Sequence, residues 1–509
     1  MKKALCLLLS LLMIFLCGCG QKEKKENNKS TFTTKGKGKI SLLYCFGDTF
    51  DPYTAKTELN RRLCTLLYDP LFKVDNNYKA KYCLAESADV TATTVTVRIK
   101  DAVFSDGTPI TSNDVMFSYV RAKHSATGGF DSKLYEVTGI TPTDEKTVIF
   151  SLSRSDPYIL NLLTFPIIKA GTTDKFDSDG MAIPPTGSGR FVVSADHENL
   201  APNGNYSESK GSITAIRLIN APDGDSIEHY VEIGAVDIYY TDGADGKIVR
   251  MEANRSEINL NRFIYVGINT TNSFLAQREM RYALSSAIDR SATVSGAFYG
   301  NATVATGFFN PAFKDASSTG TLEKGANKQI TIENLAKIGY NKLNASGYYE
   351  NASGFHPAFT ILVNSENAAR VRAAELICAQ AKSSGIEITV VQKPYDGYIQ
   401  ALQSGNFQLY LGETEILPNM DFSGLCAPGG SAAYGVTNSA DTNLPLSTAF
   451  NSYFAQQLSV NDVSGVLLSE MQQIPICYRK GLLFSSQRIK TQAEGTLTDV
   501  FYNILDYKF

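Results

Sequence analysis

Strand-type and helix-type patterns alternate along this chain, and this alternation constrains the possible fold more than any other feature of the sequence. The apolar run from Ile40 to Phe46 predicts a buried strand, and Gly47-Asp48 predicts the turn that ends it. The leucines between Leu59 and Leu67 then recur at helical spacing, up to the stop signal Asp69-Pro70. Because such units follow one another irregularly, we predict an α/β fold with mixed sheets.

A further helix is predicted after the turn Asp106-Gly107. Thr111 or Ser112, together with Asp114, can cap its first turn. We expect the buried face of this helix to consist of Val115, Tyr119 and Val120.

Length and charge limit the class of protein. The chain has 509 residues, whereas an ordinary domain has roughly 100 to 200, so two or more domains are expected. A formal net charge of −3 is small for this length and argues against nucleic acid as a partner. The cysteines beyond position 19 are widely spaced and contain no CxxC motif, and their pairing stays open.

Residues 1–18 have the features of a signal peptide. Lys2 and Lys3 precede an apolar run that ends at Leu16, which is too short to span a hydrocarbon core of about 30 Å. The tetrad Leu16-Cys17-Gly18-Cys19 resembles a lipobox, so we predict cleavage and lipidation at Cys19; the alternative is an uncleaved signal anchor. Residues 19–38 are too polar to form a core and predict a flexible tether. The body is therefore expected at the outer face of the cytoplasmic membrane, held there by the lipid.

Eight segments of this chain follow one another in the order of a known sequence signature. They are Leu67 to Phe72, Leu84 to Ser87, Val97 to Tyr119, Gly234 to Ile238, Val266 to Thr270, Met280 to Leu284, Ala287 to Arg290 and Gln473 to Tyr478. Together they resemble the signature of the family 5 solute-binding proteins, which are the oligopeptide-, dipeptide- and nickel-binding proteins of ABC importers. The resemblance covers nearly the whole chain after Cys19, although Arg190 and Phe191 depart from the family's Gly-Thr-Gly-Pro-Tyr turn.

The resemblance implies a two-lobe periplasmic-binding-protein type II fold with an extra inserted domain in the N-terminal lobe. It also implies that the two lobes close on a peptide or similar small solute and deliver it to ABC permease subunits. We expect the protein to act as a monomer. Mapped onto this chain, lobe one is residues 39–262 with the insertion at about 75–185, lobe two is 263–476, and residues 477–509 return to lobe one.

In peptide-binding members of the family, strand segments of both lobes hold an extended peptide by backbone hydrogen bonds, and an acidic residue of lobe two binds its ammonium group. Glu413 is the residue we expect in that role, with Glu415 beside it; the alternative is that both are solvated charges at a strand end. The chain has no tryptophan, so Tyr410 or Phe46 is expected to supply an aromatic wall. Dipeptide-specific relatives have an arginine where this chain has Asn364, which argues against a tight dipeptide clamp. The predicted ligand-binding residues are Tyr44, Phe46, Asn364, Tyr410, Gly412, Glu413 and Glu415.

No catalytic constellation is recognisable in the sequence. The four histidines are far apart and no HExxH motif occurs, while Gly187-Ser188-Gly189 lacks the GxSxG form of a nucleophile elbow. We therefore predict a binding protein with no enzymatic activity, no cofactor and no metal-ligating residues. Two alternatives stay open: a lipoprotein that senses peptides, and a cleft that binds nickel or another small solute.

Overall fold

The computed structural model describes residues 36–178, 180, 182–208, 211–243, 249, 251–316, 322–438 and 444–509. The residues from Gly36 to Phe509 cluster into one unit. The predicted signal peptide, Cys19 and the tether up to residue 35 lie outside the described residues. Within the described ranges, no helix has the length and hydropathy that a membrane span requires.

Strands and helices alternate irregularly along the described chain, as the sequence pattern predicts. The strands are β1 (Lys39–Tyr44), β2 (Phe72–Val74), β3 (Ala80–Tyr82), β4 (Ala85–Val90), β5 (Thr94–Ile99), β6 (Val137–Asp144), β7 (Thr147–Leu152), β8 (Lys175–Phe176), β9 (Ala182–Ile183), β10 (Phe191–Val193), β11 (Asn199–Pro202), β12 (Ala215–Asn220), β13 (Ile238–Thr241), β14 (Ala253–Ile268), β15 (Ala302–Val304), β16 (Lys342–Leu343), β17 (Tyr349–Glu350), β18 (Ala358–Asn364), β19 (Glu387–Lys393), β20 (Leu409–Glu415) and β21 (Gln473–Ser486). The α-helices are α1 (Glu58–Leu67), α2 (Ser112–Lys123), α3 (Phe130–Lys133), α4 (Gly224–Glu232), α5 (Arg278–Ala287), α6 (Arg290–Phe298), α7 (Lys328–Lys337), α8 (Ala368–Ser383), α9 (Tyr395–Gln403), α10 (Ser423–Cys426), α11 (Leu446–Phe454) and α12 (Val460–Glu470).

The start of α2 forms as predicted, but its buried face differs from the prediction in one residue. The backbone N–H of Thr111 donates to the Asp114 carboxylate at 2.8 Å, which is half of a reciprocal capping box. Val115 is buried as expected, whereas Val120 is 52% exposed. Five residues at about 100° each place Val120 roughly 140° around the helix from Val115, so Ala122 takes the buried position instead.

Two four-stranded sheets contribute to the first hydrophobic core. One has the order β1-β12-β11-β10, with β1 and β12 parallel, and the other is the antiparallel sheet β4-β5-β7-β6. This core contains Ile40 of β1 and Val97 of β5. It also contains Leu483 and Ile504 from the far end of the chain, so the C-terminal segment completes a core that the N-terminal segment begins.

A seven-stranded sheet organises the second half of the described chain. Its strand order is β13-β21-β14-β20-β18-β19, and β15 pairs with β21 beside this path. One face of the sheet packs on α5, α6 and α8 through residues such as Leu284 and Ile377. The other face forms a third cluster with α9, α11 and α12, which includes Tyr398 and Phe450. The sheet is therefore covered on both sides, as mixed α/β sheets commonly are.

The long strands β14 and β21 connect these cores. They pair along most of their length, with Ala253 opposite Ser486 at one end. β14 places Ile258 in the first core and Ile264, six residues later, in the second. The chain therefore passes twice between the cores on a pair of hydrogen-bonded strands.

Candidate functional site

A cavity of about 660 Å³, here called the first cavity, lies beside the middle of β14. Its walls come from α1, from the segment around Phe130, from the region after β13, from β14 itself, from the C-terminal segment and from the end of β20. Binding sites for small molecules typically have volumes of about 300 to 1,000 Å³. The first cavity is therefore large enough for a small solute.

One wall of the first cavity is held by the fixed start of α1. The Asp48 carboxylate accepts hydrogen bonds from the backbone N–H of Thr57 at 2.7 Å and from its hydroxyl group at 2.6 Å. The helix then buries its leucine face in the first core. Its remaining surface presents Arg61 and Arg62 to the first cavity, so the amphipathic pattern of α1 positions two cations there.

Two charged side chains at the first cavity have no salt bridge or hydrogen bond to another described residue: Lys133, the last residue of α3, and Glu415, the last residue of β20. By contrast, Arg262 and Asp242 form an ion pair at 3.2 Å. Burial lowers the pKa of the Lys133 ammonium group, and the charge of Glu415 acts against this shift. The first cavity thus offers one cation and one anion to a bound molecule, an arrangement that suits a zwitterion.

The edge of β20 that faces away from β14 is open near its end. The N–H of Ile416 donates to the carbonyl oxygen of Asn261 at 2.8 Å, so the even-numbered residues of β20 direct their backbone groups toward β14. Glu413 and Glu415 therefore direct theirs to the opposite edge. In the described chain, β18 pairs with that edge only at Leu409 and Tyr410. The last residues of β20 can consequently pair with an added extended chain.

Glu413 lies between two arginines. Its carboxylate is 3.6 Å from Arg370 Nε and 3.7 Å from Arg479 Nη1, and its side chain is 10% exposed. Arg370 Nε is buried and forms no hydrogen bond. Because these two guanidinium groups already compensate its charge, Glu413 has less capacity to bind an ammonium group than Glu415, which is exposed and lines the first cavity.

Near the predicted ligand-binding residues Tyr44 and Phe46, backbone N–H groups donate to side chains of the protein itself. The N–H of Cys45 donates to Asn60 Oδ1 at 2.8 Å, and the N–H of Phe46 donates to Asn220 Oδ1 at 2.9 Å. Tyr44 is half-buried and stacks on Phe50, while Phe46 is 40% exposed. Neither aromatic ring lines the first cavity, so the structure does not bring Tyr44 and Phe46 together with Glu415.

Three other predicted ligand-binding residues, Tyr410, Gly412 and Asn364, are buried in the protein interior. Tyr410 is 1% exposed and packs edge-on against Tyr265 in the third cluster, so its ring does not form a wall of the first cavity. Gly412 lies beneath the Tyr265 ring, where a Cβ atom would be 2.5 Å from a ring carbon. Asn364 is buried at the end of β18, and its side chain accepts a hydrogen bond from the N–H of Glu366 at 3.0 Å.

The segment after β20 is anchored by a buried charge network that the sequence did not reveal. Arg154 donates to Asp421 at 2.7 Å and also to Glu136, while Asn419 donates to Asp156 at 2.8 Å. Burial, with a further contribution from Glu136, raises the pKa of Asp156 to about 7. We call Arg154, Glu136, Asp156 and Asp421 the Arg154 cluster. The guanidinium of Arg154 binds two of these carboxyl groups, those of Glu136 and Asp421, and the network fixes the chain that follows Glu415.

The described residues include no group of three or more histidine, cysteine or acidic side chains arranged to hold a metal ion. The six cysteines from Cys45 to Cys477 are free thiols.

Comparison with known proteins identifies a family. The model of the bacterial extracellular solute-binding proteins, family 5 (middle region), matches residues 79–432. The oligopeptide-binding protein AppA of Bacillus subtilis is 24% identical over 390 residues, covering 73% of this chain and 71% of AppA. The glutathione-binding protein GsiB of Escherichia coli K12 is 25% identical over 285 residues, covering 53% of this chain and 56% of GsiB.

The fold is shared with solved structures. The crystal structure of a nickel ABC transporter protein from Bacillus halodurans matches with a TM-score of 0.75 at 18% identity, covering 91% of this chain and 98% of that one. The expected two-lobe α/β fold is thereby confirmed. Since the family model covers well over half of the sequence, the chain belongs to the bacterial extracellular solute-binding proteins of family 5.

Proposed function

We propose that this protein captures a peptide or peptide-like zwitterion in the first cavity and delivers it to the permease of an ABC importer. It acts by binding and closure, without changing its ligand chemically. The observation that carries this proposal is the Glu415 carboxylate at the open edge of β20. Like the Lys133 ammonium group at the same cavity, it has no salt bridge or hydrogen bond to another described residue.

The open edge explains why the ligand is peptide-like. Backbone hydrogen bonds from an edge strand recognise the main chain of an extended peptide and are indifferent to its side chains. Glu415 has both a backbone that faces this edge and a carboxylate at the first cavity. The peptide main chain therefore lies along the end of β20, and its ammonium group binds Glu415 rather than the arginine-paired Glu413. AppA and GsiB, whose names state an oligopeptide and glutathione as ligands, support this ligand class.

Lys133 supplies the positive charge of the site. It is placed by α3, and its ammonium group is available to a ligand carboxylate. Because its surroundings disfavour an isolated cation, a bound carboxylate gains more there than it would at the surface.

The domain assignment follows from the same reasoning. Residues 39–262 with 477–509 act as one lobe, the insertion at about 75–185 belongs to it, and residues 263–476 act as the other. Closure of the lobes buries the ligand, and the ligand favours the closed form only by its higher affinity for that form. A lipid at Cys19 keeps the monomer at the outer face of the cytoplasmic membrane, close to the permease subunits.

Isothermal titration with a free tripeptide and its N-acetylated form tests the role of Glu415. Hydrogen bonds to charged groups contribute about 1.5 to 3 kcal/mol, so the wild type should prefer the free ammonium by roughly tenfold or more. Glu415→Gln should abolish this preference, while the matched variant Glu413→Gln should retain it. Equal affinity of the wild type for both peptides would refute this use of Glu415. A titration with Ni²⁺ alone examines the nickel alternative, and binding of Ni²⁺ without any peptide binding would overturn the proposal.

A further inference from the structure

A second cavity of about 350 Å³ adjoins the first. It is lined by Cys45 at the end of β1, by the first turn of α4 and by the end of β13. Four residues line both cavities: Glu58, Arg62, Tyr240 and Asp242. These four side chains therefore form the partition between two volumes that are each in the range of a ligand site.

Arg62 closes this partition by stacking. Its guanidinium carbon lies 3.5 Å from the centroid of the Tyr240 ring, which is close for a cation–π contact. The same guanidinium donates to Glu58 one turn earlier on α1. Tyr240 and Glu58 together hold the Arg62 side chain in the partition between the cavities.

Of the two stacked groups, Arg62 is the one that can move. Tyr240 belongs to β13 and pairs with Leu483 of β21, and its hydroxyl lies over Gly481, where a Cβ atom would be only 2.5 Å away. Arg62 instead projects from a helix on a long side chain with several rotatable bonds. Rotation about those bonds would take its guanidinium out of the partition without moving the backbone.

We propose that Arg62 is a gate that determines which ligand lengths the site accepts. The proposal rests on peptide binding in the first cavity. A short peptide fills the first cavity and leaves Arg62 stacked on Tyr240. A longer peptide displaces Arg62 and extends into the second cavity, at the expense of the stack.

The charges of the second cavity indicate which long peptides are favoured. When Arg62 swings away, Glu58 loses its cation, while Asp242 remains paired with Arg262. A lysine or arginine side chain of the ligand that enters beside Glu58 restores the lost pair. The preferred long ligands are therefore peptides with a basic residue at the position that passes the gate.

The test compares a tripeptide and a hexapeptide of alanine, both with free termini, by isothermal titration against full-length protein. A cation–π stack corresponds to roughly threefold to thirtyfold in affinity. Arg62→Ala should raise the ratio of hexapeptide affinity to tripeptide affinity by that factor. Arg61→Ala is the matched control, because Arg61 lines the first cavity only, and it should change both affinities by the same factor.

A second variant distinguishes the proposed gate from an effect on folding. Arg62→Lys keeps the charge beside Glu58 but loses the planar stack, and it should give an intermediate gain for the hexapeptide. An unchanged ratio of hexapeptide to tripeptide affinity in a folded Arg62→Ala or Arg62→Lys protein refutes the gate and leaves the proposed function intact. A wild type that binds neither peptide refutes the proposed function and the gate with it.

Discussion

Replacing Arg154 with methionine should destabilise the protein. The guanidinium of Arg154 is the cation of the Arg154 cluster and lies 3.5 Å from the centroid of the Phe454 ring. Glu136 is almost completely buried, and the side chain of Asp421 is 10% exposed. Methionine preserves much of the packing volume, so the variant mainly leaves two carboxylates without their cation.

The size of the effect follows from burial. Removing one partner of a buried ion pair costs about 3 to 5 kcal/mol, because the other charge stays buried without compensation. The Arg154 side chain is 31% exposed, so water screens part of the interaction and we expect the lower end, about 3 kcal/mol. The matched control is Arg98→Met, which breaks the exposed pair with Glu86 and should cost less than about 1 kcal/mol.

Urea unfolding of both variants at neutral pH measures the effect. A free-energy loss for Arg154→Met no greater than that for Arg98→Met would show that the cluster is not held together by charge.

Three further variants test other features. Burial raises the pKa of Asp156 to about 7. Its protonated form therefore contributes fully to the stability of the fold below the unfolded pKa of about 4, and this contribution is lost as the pH rises through 7. Asp156→Asn should flatten the dependence of stability on pH between pH 5 and 8, as measured by urea unfolding. Asn60→Ala removes three backbone hydrogen bonds from a buried amide and should cost about 2 kcal/mol, with faster amide exchange in the segment after β1; unchanged exchange would contradict this role. Gly412→Ala drives a methyl group into Tyr265 and should cost about 1 to 3 kcal/mol in urea unfolding, whereas Gly139→Ala, with open space around its Cβ position, should be nearly neutral.

Local structure was predictable where it depends on residues that are close together in the sequence. The capping residues of α2 and the leucine face of α1 depend on neighbours a few positions away, and both form as expected. The family motifs likewise predicted the two-lobe fold. Val120 is the exception, because it lies five residues after Val115 and this spacing places it on the exposed side of the helix.

The candidate site was less predictable because its geometry depends on distant residues. Glu413 and Glu415 are equivalent in the sequence, and only the placement of Arg370 and Arg479 separates a paired carboxylate from an available one. Lys133 carries no local signal of its position, since its approach to the first cavity depends on tertiary packing. The backbone N–H groups of Cys45 and Phe46 donate to the amide side chains of Asn60 and Asn220, and the sequence pattern did not predict these contacts.

The two connecting strands have a consequence for the order in which the protein can be made. The first core needs Leu483 and Ile504, which are synthesised after nearly all of the rest of the chain. A growing chain therefore cannot complete its first core while it emerges, and contacts of such long sequence separation form slowly. We expect the nascent N-terminal half to stay loosely packed until the last residues arrive, a state that an export channel or a chaperone can still handle as an extended chain.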